Sequence, residues 1–522
     1  MTDESKSASS PPPAAIPESG IVSGERFRSL GDLREAGARA ASALHDVGVW
    51  QGDIVALLLR NDFACFEAGM GASLLGASTV PLNWHLTADE IGYILDDCGA
   101  KVLIAHADLL TEAVLAVASH VEVIAVETPP EVRSAYAIAN YEVQLPVPVW
   151  ARWIADYAPW TREPRQVTGP MFYTSGTTGK PKGVRRKPVS PEVGQRAEQR
   201  SRFAWGLDRP PIRTVMTGPL YHSAPNAYAM MTVFSGGLLV LQPRFQAEEL
   251  LALIERHAIT HLHMVPTMFV RLLALPETLK NRYRLDSLVH VSHGAAPCAP
   301  DVKRAMIDWW GPIIHEYYAM TETGIICSSD SATWLAKPGC VGRPVPGIDI
   351  LILDEAGMPV AAGMPGEICV RSEVTSKVSY HRADEKTAAM RRGDFVATGD
   401  IGHLDADGVL FISDRKSDMV ISGGVNLYPA EIENALNGLP DLTDCAAFGV
   451  PDAEFGERMV LVVEGGDALR REDLTARLMA QLAAYKLPRV IYRSAVMPRE
   501  DSGKIKKRLL RDKVLDGQLV EL

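Results

Sequence analysis

Residues 173–184 read Tyr173-Thr174-Ser175-Gly176-Thr177-Thr178-Gly179-Lys180-Pro181-Lys182-Gly183-Val184, a run of small hydroxyl residues and glycines with two lysines. Glycines let backbone approach a ligand closely. Successive N–H groups of such a loop converge on an anion, and hydroxyl and ammonium donors add to them, so the segment suits a polyphosphate. The spacing is not that of a Walker A loop, because Pro181 rather than Ser or Thr follows Lys180. A flexible Gly/Thr linker is the plain alternative. The two lysines argue against it.

A phosphate loop needs a scaffold, and the flanking sequence supplies an alternating one. Apolar β-like runs at 54–59, 78–82 and 102–105 alternate with amphipathic stretches at 63–75 and 87–97. That rhythm predicts an α/β layered domain with mostly parallel strands. It recurs at 214–218, 247–257 and 261–265. Ligands of such sheets bind on loops beyond the carboxyl ends of the strands. Between 340 and 412 the segments shorten, with turn signals at Asp354-Glu355-Ala356-Gly357 and Asp405-Ala406-Asp407-Gly408, as antiparallel hairpins require. Helical patterns return at 429–436 and 471–484. The expected division is a disordered tail over 1–20, a large domain over 21–413, a linker at 414–418 and a small α+β domain over 419–522.

With 522 residues, 47% hydrophobic and 22% charged, the chain is too long for one compact core. A formal net charge of −11 opposes nucleic acid and anionic membrane, so neither is an expected partner. The seven cysteines form no C-x-x-C pair and read as reduced core residues. The Ser/Pro-rich first residues lack the basic start and apolar stretch of a secretory signal. No run of 18 apolar residues occurs, so no membrane span and a cytoplasmic location are expected.

Further motifs follow the loop in order. They are Tyr318-Ala319-Met320-Thr321-Glu322-Thr323-Gly324, Thr398-Gly399-Asp400, Asp414-Arg415 leading into Ser422-Gly423-Gly424-Val425-Asn426, and Ser502-Gly503-Lys504. Together they resemble the adenylate-forming superfamily of acyl-CoA and aryl-CoA synthetases, peptide-synthetase adenylation domains and beetle luciferases. The resemblance implies a large layered α/β domain with mostly parallel sheets and a small β-subdomain, then a small mobile α+β lid. It implies that ATP or AMP is held by Thr174, Ser175, Gly176, Thr177, Thr178, Gly179, Lys180, Lys182, Gly294, Ala295, Ala296, Tyr317, Tyr318, Thr321, Asp400 and Arg415. Tyr318 would stack on adenine, Asp400 would accept the ribose hydroxyls, and Glu322 would hold magnesium. Lys504 would bind the carboxylate and α-phosphate, with Glu322 and Thr321 beside it in the catalytic set. Ser422, Gly423 and Gly424 would line the approach of coenzyme A after the lid rotates about position 417. Two departures stand out: the hinge is Ser417 where relatives carry Asp or Lys, and Ala319 follows Tyr318 where they carry Gly.

The acyl pocket implied by the resemblance is built from 219–231, 293–297 and the stretch after Glu322, with His222, Met230, Gly294, Gly324 and Ile325 facing the acid. These segments are apolar or small and carry no acidic group to pair an ammonium, which points to a hydrophobic carboxylate without an amine. His222 reads equally as a gate to the pocket or as a hydrogen-bonded core histidine; His261 and His263 read as structural. The expected activity is an AMP-forming acid–CoA ligase using ATP, Mg²⁺ and CoA on a fatty, arylalkanoic or steroid side-chain acid. The alternative is an adenylating enzyme that loads a carrier protein. A homodimer is compatible with either.

Overall fold

The computed structural model describes residues 17–139, 146–165, 169–174, 181–416, 418–422, 425–500 and 504–522. Near the N-terminus, strands Ser78–Pro81, Ile54–Leu58, Ala100–His106 and Glu122–Val126 lie in that order in one parallel sheet. Helices Phe63–Leu75 and Ala88–Cys98 connect them, as the alternating pattern predicts. Thr87 and Glu90 close the start of the second helix with a capping box, and left-handed Gly99 ends it. Residues 1–16 of the expected tail lie outside the described residues, and Gly20, its last residue, begins the strand Gly20–Ser23, parallel to Leu238–Leu241.

A larger sheet of 14 strands carries the second rhythm. Gly20–Ser23, Leu238–Leu241, Arg213–Met216, His261–Met264, His290–His293 and Ile314–Met320 run parallel through its centre. Beyond Ile314–Met320 the pairing turns antiparallel through Gly324–Ser329, Cys340–Pro344 and Leu410–Arg415 to the hairpins of the expected β-subdomain. Each face of the parallel half is covered. Helices Leu30–Asp46 and Phe63–Leu75 pack between this sheet and the four-stranded one, burying Leu33, Leu44, Phe66 and Ala72 against Met216, Leu239 and Leu241. On the opposite face Leu250, Leu251 and Ile254 of helix Ala247–His257 cover Val215, Val240 and Leu262. Burying strands on both faces explains their near-continuous apolar composition.

After Leu410–Arg415 the chain forms a separate six-stranded sheet in which Leu442–Asp452, Gly456–Gly465 and Val490–Arg493 are central. Helices Pro429–Leu436 and Arg471–Met479 cover one face, and Lys507–Leu515 covers the other. Asp414 and Arg415, expected in the linker, are the last residues of a strand, because Arg415 pairs in register with Asp400. The helical pattern over 471–484 is also shorter than expected. Helix Arg471–Met479 gives way to a single 3-10 turn, Ala484–Lys486, ahead of an extended Leu487 that precedes Pro488, the backbone that a following proline demands.

Candidate active site

Strands Phe172–Thr174 and Lys182–Arg186 form the two arms of the phosphate loop, setting Thr174 opposite Lys182. Ser175, Gly176, Thr177, Thr178, Gly179 and Lys180 lie outside the described residues. A third strand, Val378–Tyr380, pairs with the outer arm. Helix Ala88–Cys98 of the other sheet anchors this hairpin: the Tyr173 hydroxyl donates to Asp97 at 2.5 Å, and a His381 ring nitrogen lies 2.9 Å from the Asp97 carbonyl. Tyr380 joins two expected site residues. Its hydroxyl donates to a Glu322 carboxylate oxygen at 2.8 Å, and the Lys182 ammonium lies 5.5 Å from its ring centre. Burial lowers the Lys182 pKa, Lys386 adds to the fall, and Glu322 opposes it.

Tyr318 and Tyr317 are neighbours on a strand and so face opposite ways. The Tyr318 hydroxyl donates to Asp400 Oδ2 at 2.5 Å, while Asp400 Oδ1 lies 3.6 Å from Arg415 Nε. Burial raises the Asp400 pKa, and Arg415, the Tyr318 hydrogen bond and Lys504 pull it back. Tyr317 does something else. Its hydroxyl lies 2.7 Å from His263 Nε2 in a pocket closed by Trp205, so its side chain belongs to the core. Thr321 is held twice: its hydroxyl lies 3.3 Å from Ser223, and its carbonyl accepts from Arg186 at 2.5 Å. Arg186 and Tyr380 escaped the sequence reading. Arg186 ends the arm that begins at Lys182, and that position in a lysine-bearing hairpin was the available signal.

Lys504 precedes helix Lys507–Leu515, on a segment bridged through Arg499 and Ile505. Its ammonium is pulled below the ordinary lysine value by lost hydration and by Arg415, and Glu500, Asp400 and Glu322 hold it up. The lysine therefore shares one electrostatic locus with the two carboxylates. Enough of its surface stays exposed for a substrate to reach it.

The acyl candidates sort into two groups. His222 immediately precedes helix Ser223–Phe234, and its ring meets that of Tyr221 at a tilt, with ring centres 4.5 Å apart. Met230 packs against the core between the two sheets, whereas Met231 packs against the cluster that holds Tyr317, Tyr318 and Ile325. Gly294 is buried with no room for a side chain, since an added Cβ would lie 2.7 Å from the Tyr317 carbonyl. Ala295 follows in left-handed backbone at φ 69° and is exposed; Ala296 is partly buried. Gly324 turns at φ 74°, and Ile325 is buried beside Tyr318. On the lid, Ser422 pairs with Gly456, and Gly423, Gly424 and Ser417 lie outside the described residues.

Among the described residues no three His, Cys, Asp or Glu side chains gather into a metal cage. Glu322 is a buried carboxylate held by Tyr380, and its charge acts on both Lys182 and Lys504. One carboxylate plus substrate phosphates is how Mg²⁺ is commonly held, so the residue present fits that ion.

The sequence pattern of the AMP-binding enzyme family matches residues 13–380, and that of the AMP-binding enzyme C-terminal domain matches residues 431–504. The chain belongs to the AMP-binding enzyme family. Among the relatives of this adenylate-forming enzyme is a feruloyl-CoA synthase from Amycolatopsis sp, 31% identical over 91% of this chain and 92% of that protein. A long-chain-fatty-acid–CoA ligase from Mycobacterium tuberculosis is likewise 31% identical, over 91% and 90%. Among solved structures, the o-succinylbenzoate CoA synthetase of Bacillus subtilis, in complex with its acyl-adenylate intermediate, superposes with a TM-score of 0.80 at 26% identity over 96% of each chain. Both halves of the AMP-binding enzyme, sheet and lid, are therefore matched.

Proposed function

We propose that this AMP-binding enzyme is an acid–CoA ligase that converts a hydrophobic carboxylic acid without an amine, ATP and CoA into the acyl-CoA, AMP and pyrophosphate. The observation that carries the reading is the set of Tyr318, Asp400 and Arg415 and of Tyr380 with Glu322, whose carboxylates and guanidinium act electrostatically on Lys504, together with acyl segments that contain no acidic side chain. The substrate class is a fatty, arylalkanoic or steroid side-chain acid. Similarity to an aryl-CoA and a fatty-acyl-CoA enzyme supports an apolar pocket without choosing between those classes.

In the first half-reaction a carboxylate oxygen attacks the α-phosphorus of ATP and pyrophosphate departs. Lys504 is the cation placed to stabilise the negative charge that develops there, since a fixed charge in a partly dehydrated site needs no reorganisation. Thr321 and the hairpin around Lys182 orient the phosphates, and Tyr318, Asp400 and Arg415 hold the nucleoside. Glu322 would hold Mg²⁺, which when bound supplies positive charge to the phosphate oxygens. In the second half-reaction the CoA sulfur attacks the acyl carbonyl and AMP leaves, a step that depends chiefly on bringing thiol and carbonyl together. The strand Val420–Ser422 and the segment after it would line that approach once the lid has turned about residue 417.

The test is pyrophosphate release over a panel from acetate through fatty, aryl and steroid acids, with and without CoA. Multiple turnovers on bulky apolar acids should require CoA, and Lys504→Ala should lower the rate by about a hundredfold or more. Release that stops after one equivalent whether or not CoA is present would sink the ligase reading and favour a carrier protein as acceptor.

A further inference from the structure

The two parallel sheets meet at the carboxyl ends of their strands, and among the side chains that bridge them there, such as Tyr136 to the Pro243 carbonyl and Arg26 to Asp62, Asn61 is the one that holds the loop at 218–220. Asn61 follows the strand Ile54–Leu58 of the small sheet and lies just before helix Phe63–Leu75. Its Nδ2 donates to the carbonyl of Gly218 at 2.9 Å, and its Oδ1 accepts from the N–H of Leu220 at 2.8 Å. Because one partner is an acceptor and the other a donor, the orientation of the amide is set. Gly218 and Leu220 belong to the loop beyond the strand Arg213–Met216 of the large sheet, and that loop runs through His222 into helix Ser223–Phe234. The same loop is tied from its other side, where Asn226 Nδ2 donates to the Leu220 carbonyl at 2.9 Å. Next in the chain, Tyr221 meets Trp84 of the small-sheet half edge to face, with ring centres 4.6 Å apart. Asn61 is only 2% exposed, so no water competes for these bonds.

We propose that Asn61 is a positioning residue for acid selection: by fixing the backbone at 218–220 it sets where helix Ser223–Phe234 begins, and hence the shape of the acyl wall. It touches neither the nucleotide residues nor the Lys504 locus in any described contact. The inference rests on the reading that the segment 219–231 lines the acid site. A clamp on a binding wall acts first on the acid; it reaches the ATP side only through the 3.3 Å contact of Ser223, at the head of the helix, with Thr321, which Arg186 also holds. A displacement of such a wall by an ångström is enough to change rates many-fold.

The experiment is steady-state kinetics of the full-length enzyme across the acid panel, for Asn61→Ala and for Asn61→Asp, which keeps the shape and the acceptor to Leu220 but loses the donor to Gly218. Thermal unfolding identifies whichever variant folds. In a folded variant the KM for the preferred acid should rise about tenfold while the KM for ATP stays within about twofold, and the ratio of kcat/KM between the largest and smallest acids should shift by about threefold or more. An equal loss for every acid and for ATP, or no change at all, overturns the proposal. Ala227→Phe, a bulky change on the helix itself, is the control for the underlying reading. If it shifts acid preference and Asn61→Ala does not, the clamp fails alone; if Ala227→Phe shifts nothing, the acyl-wall reading fails and takes the clamp with it.

Discussion

The Tyr380 hydroxyl reaches Glu322 at 2.8 Å, and the Lys182 ammonium lies over the same ring. In the proposed role of Glu322 as the Mg²⁺ carboxylate, a donor that holds one of its oxygens leaves the other aimed rather than free to rotate. Tyr380→Phe keeps the ring under Lys182 and removes only the donor. A hydrogen bond to a charged group is worth roughly 1.5–3 kcal/mol, so kcat/KM for ATP should fall by about tenfold or more, with a higher Mg²⁺ concentration needed for half-maximal activity. Titration of pyrophosphate release with Mg²⁺ at saturating acid reads this directly. An unchanged Mg²⁺ dependence would mean that Glu322 is oriented without Tyr380. Nothing in the spacing of Tyr380 marked it, since it acquires its partner only when the strand Val378–Tyr380 is laid beside the phosphate hairpin, 58 residues in sequence from Glu322.

At the level of elements, Asp414 joins the last strand of the large sheet to the first helix of the lid. Its Oδ2 accepts the N–H of Ala430 at 2.8 Å, at the open N-terminus of helix Pro429–Leu436, and its Oδ1 accepts the N–H of Arg415. Burial raises its pKa to about 6 despite those donors and despite Lys507. With the folded value above the ordinary 3.8, the contribution of this group to stability is complete below about pH 4 and is lost as the pH rises through about 6. Asp414→Asn abolishes that titration while keeping an acceptor for Ala430. The melting temperature of the variant relative to the parent should therefore rise between pH 4 and 6.5, by an amount corresponding to at most about 3 kcal/mol. Parallel unfolding curves across that range would show that Asp414 does not titrate there. How legible such elements are in the sequence depends on what fixes them. Helices Phe63–Leu75, Ala247–His257 and Pro429–Leu436 have the bounds the sequence predicts: the last two bury one stripe, the first is apolar nearly all round because it lies between two sheets, and Gly76, Ala258 and Pro429 mark ends that are local. The α/β class and the lid sheet follow from the same signals. The facing of Tyr317 and the divergence of Met230 from Met231 do not, since these depend on which neighbouring strand or helix arrives from far along the chain. Asn61 is likewise silent in the sequence: a polar residue after a strand reads as an ordinary helix entrance until the loop at 218–220 is placed against it.

Across the whole molecule, the centre of the large sheet stores histidines that stay neutral. His261 and His290 are register partners on adjacent parallel strands, and His290 stacks on His315 of the next strand at 3.9 Å. Burial drives the pKa of His261, His263 and His315 to about 4 and that of His290 to about 2, and holds His293 well below the ordinary value. With folded values below the unfolded 6.5, their contribution to stability is complete above that pH and is lost as the pH falls toward about 4. Five such groups outweigh the opposing slope of Asp414, so the melting temperature should drop by roughly 10 °C between pH 6.5 and 5. His290→Gln should flatten that dependence. A melting temperature independent of pH over this interval would contradict neutral burial of the ladder. The strand Ile314–Met320 carries one of these histidines and, two and three residues later, Tyr317 turned into the core and Tyr318 turned to Asp400. The two faces of this one strand therefore have separate keepers: His263 and Trp205 hold the Tyr317 ring below, and Asp400 holds the Tyr318 hydroxyl above, so the hinge between core and cleft is a single peptide bond.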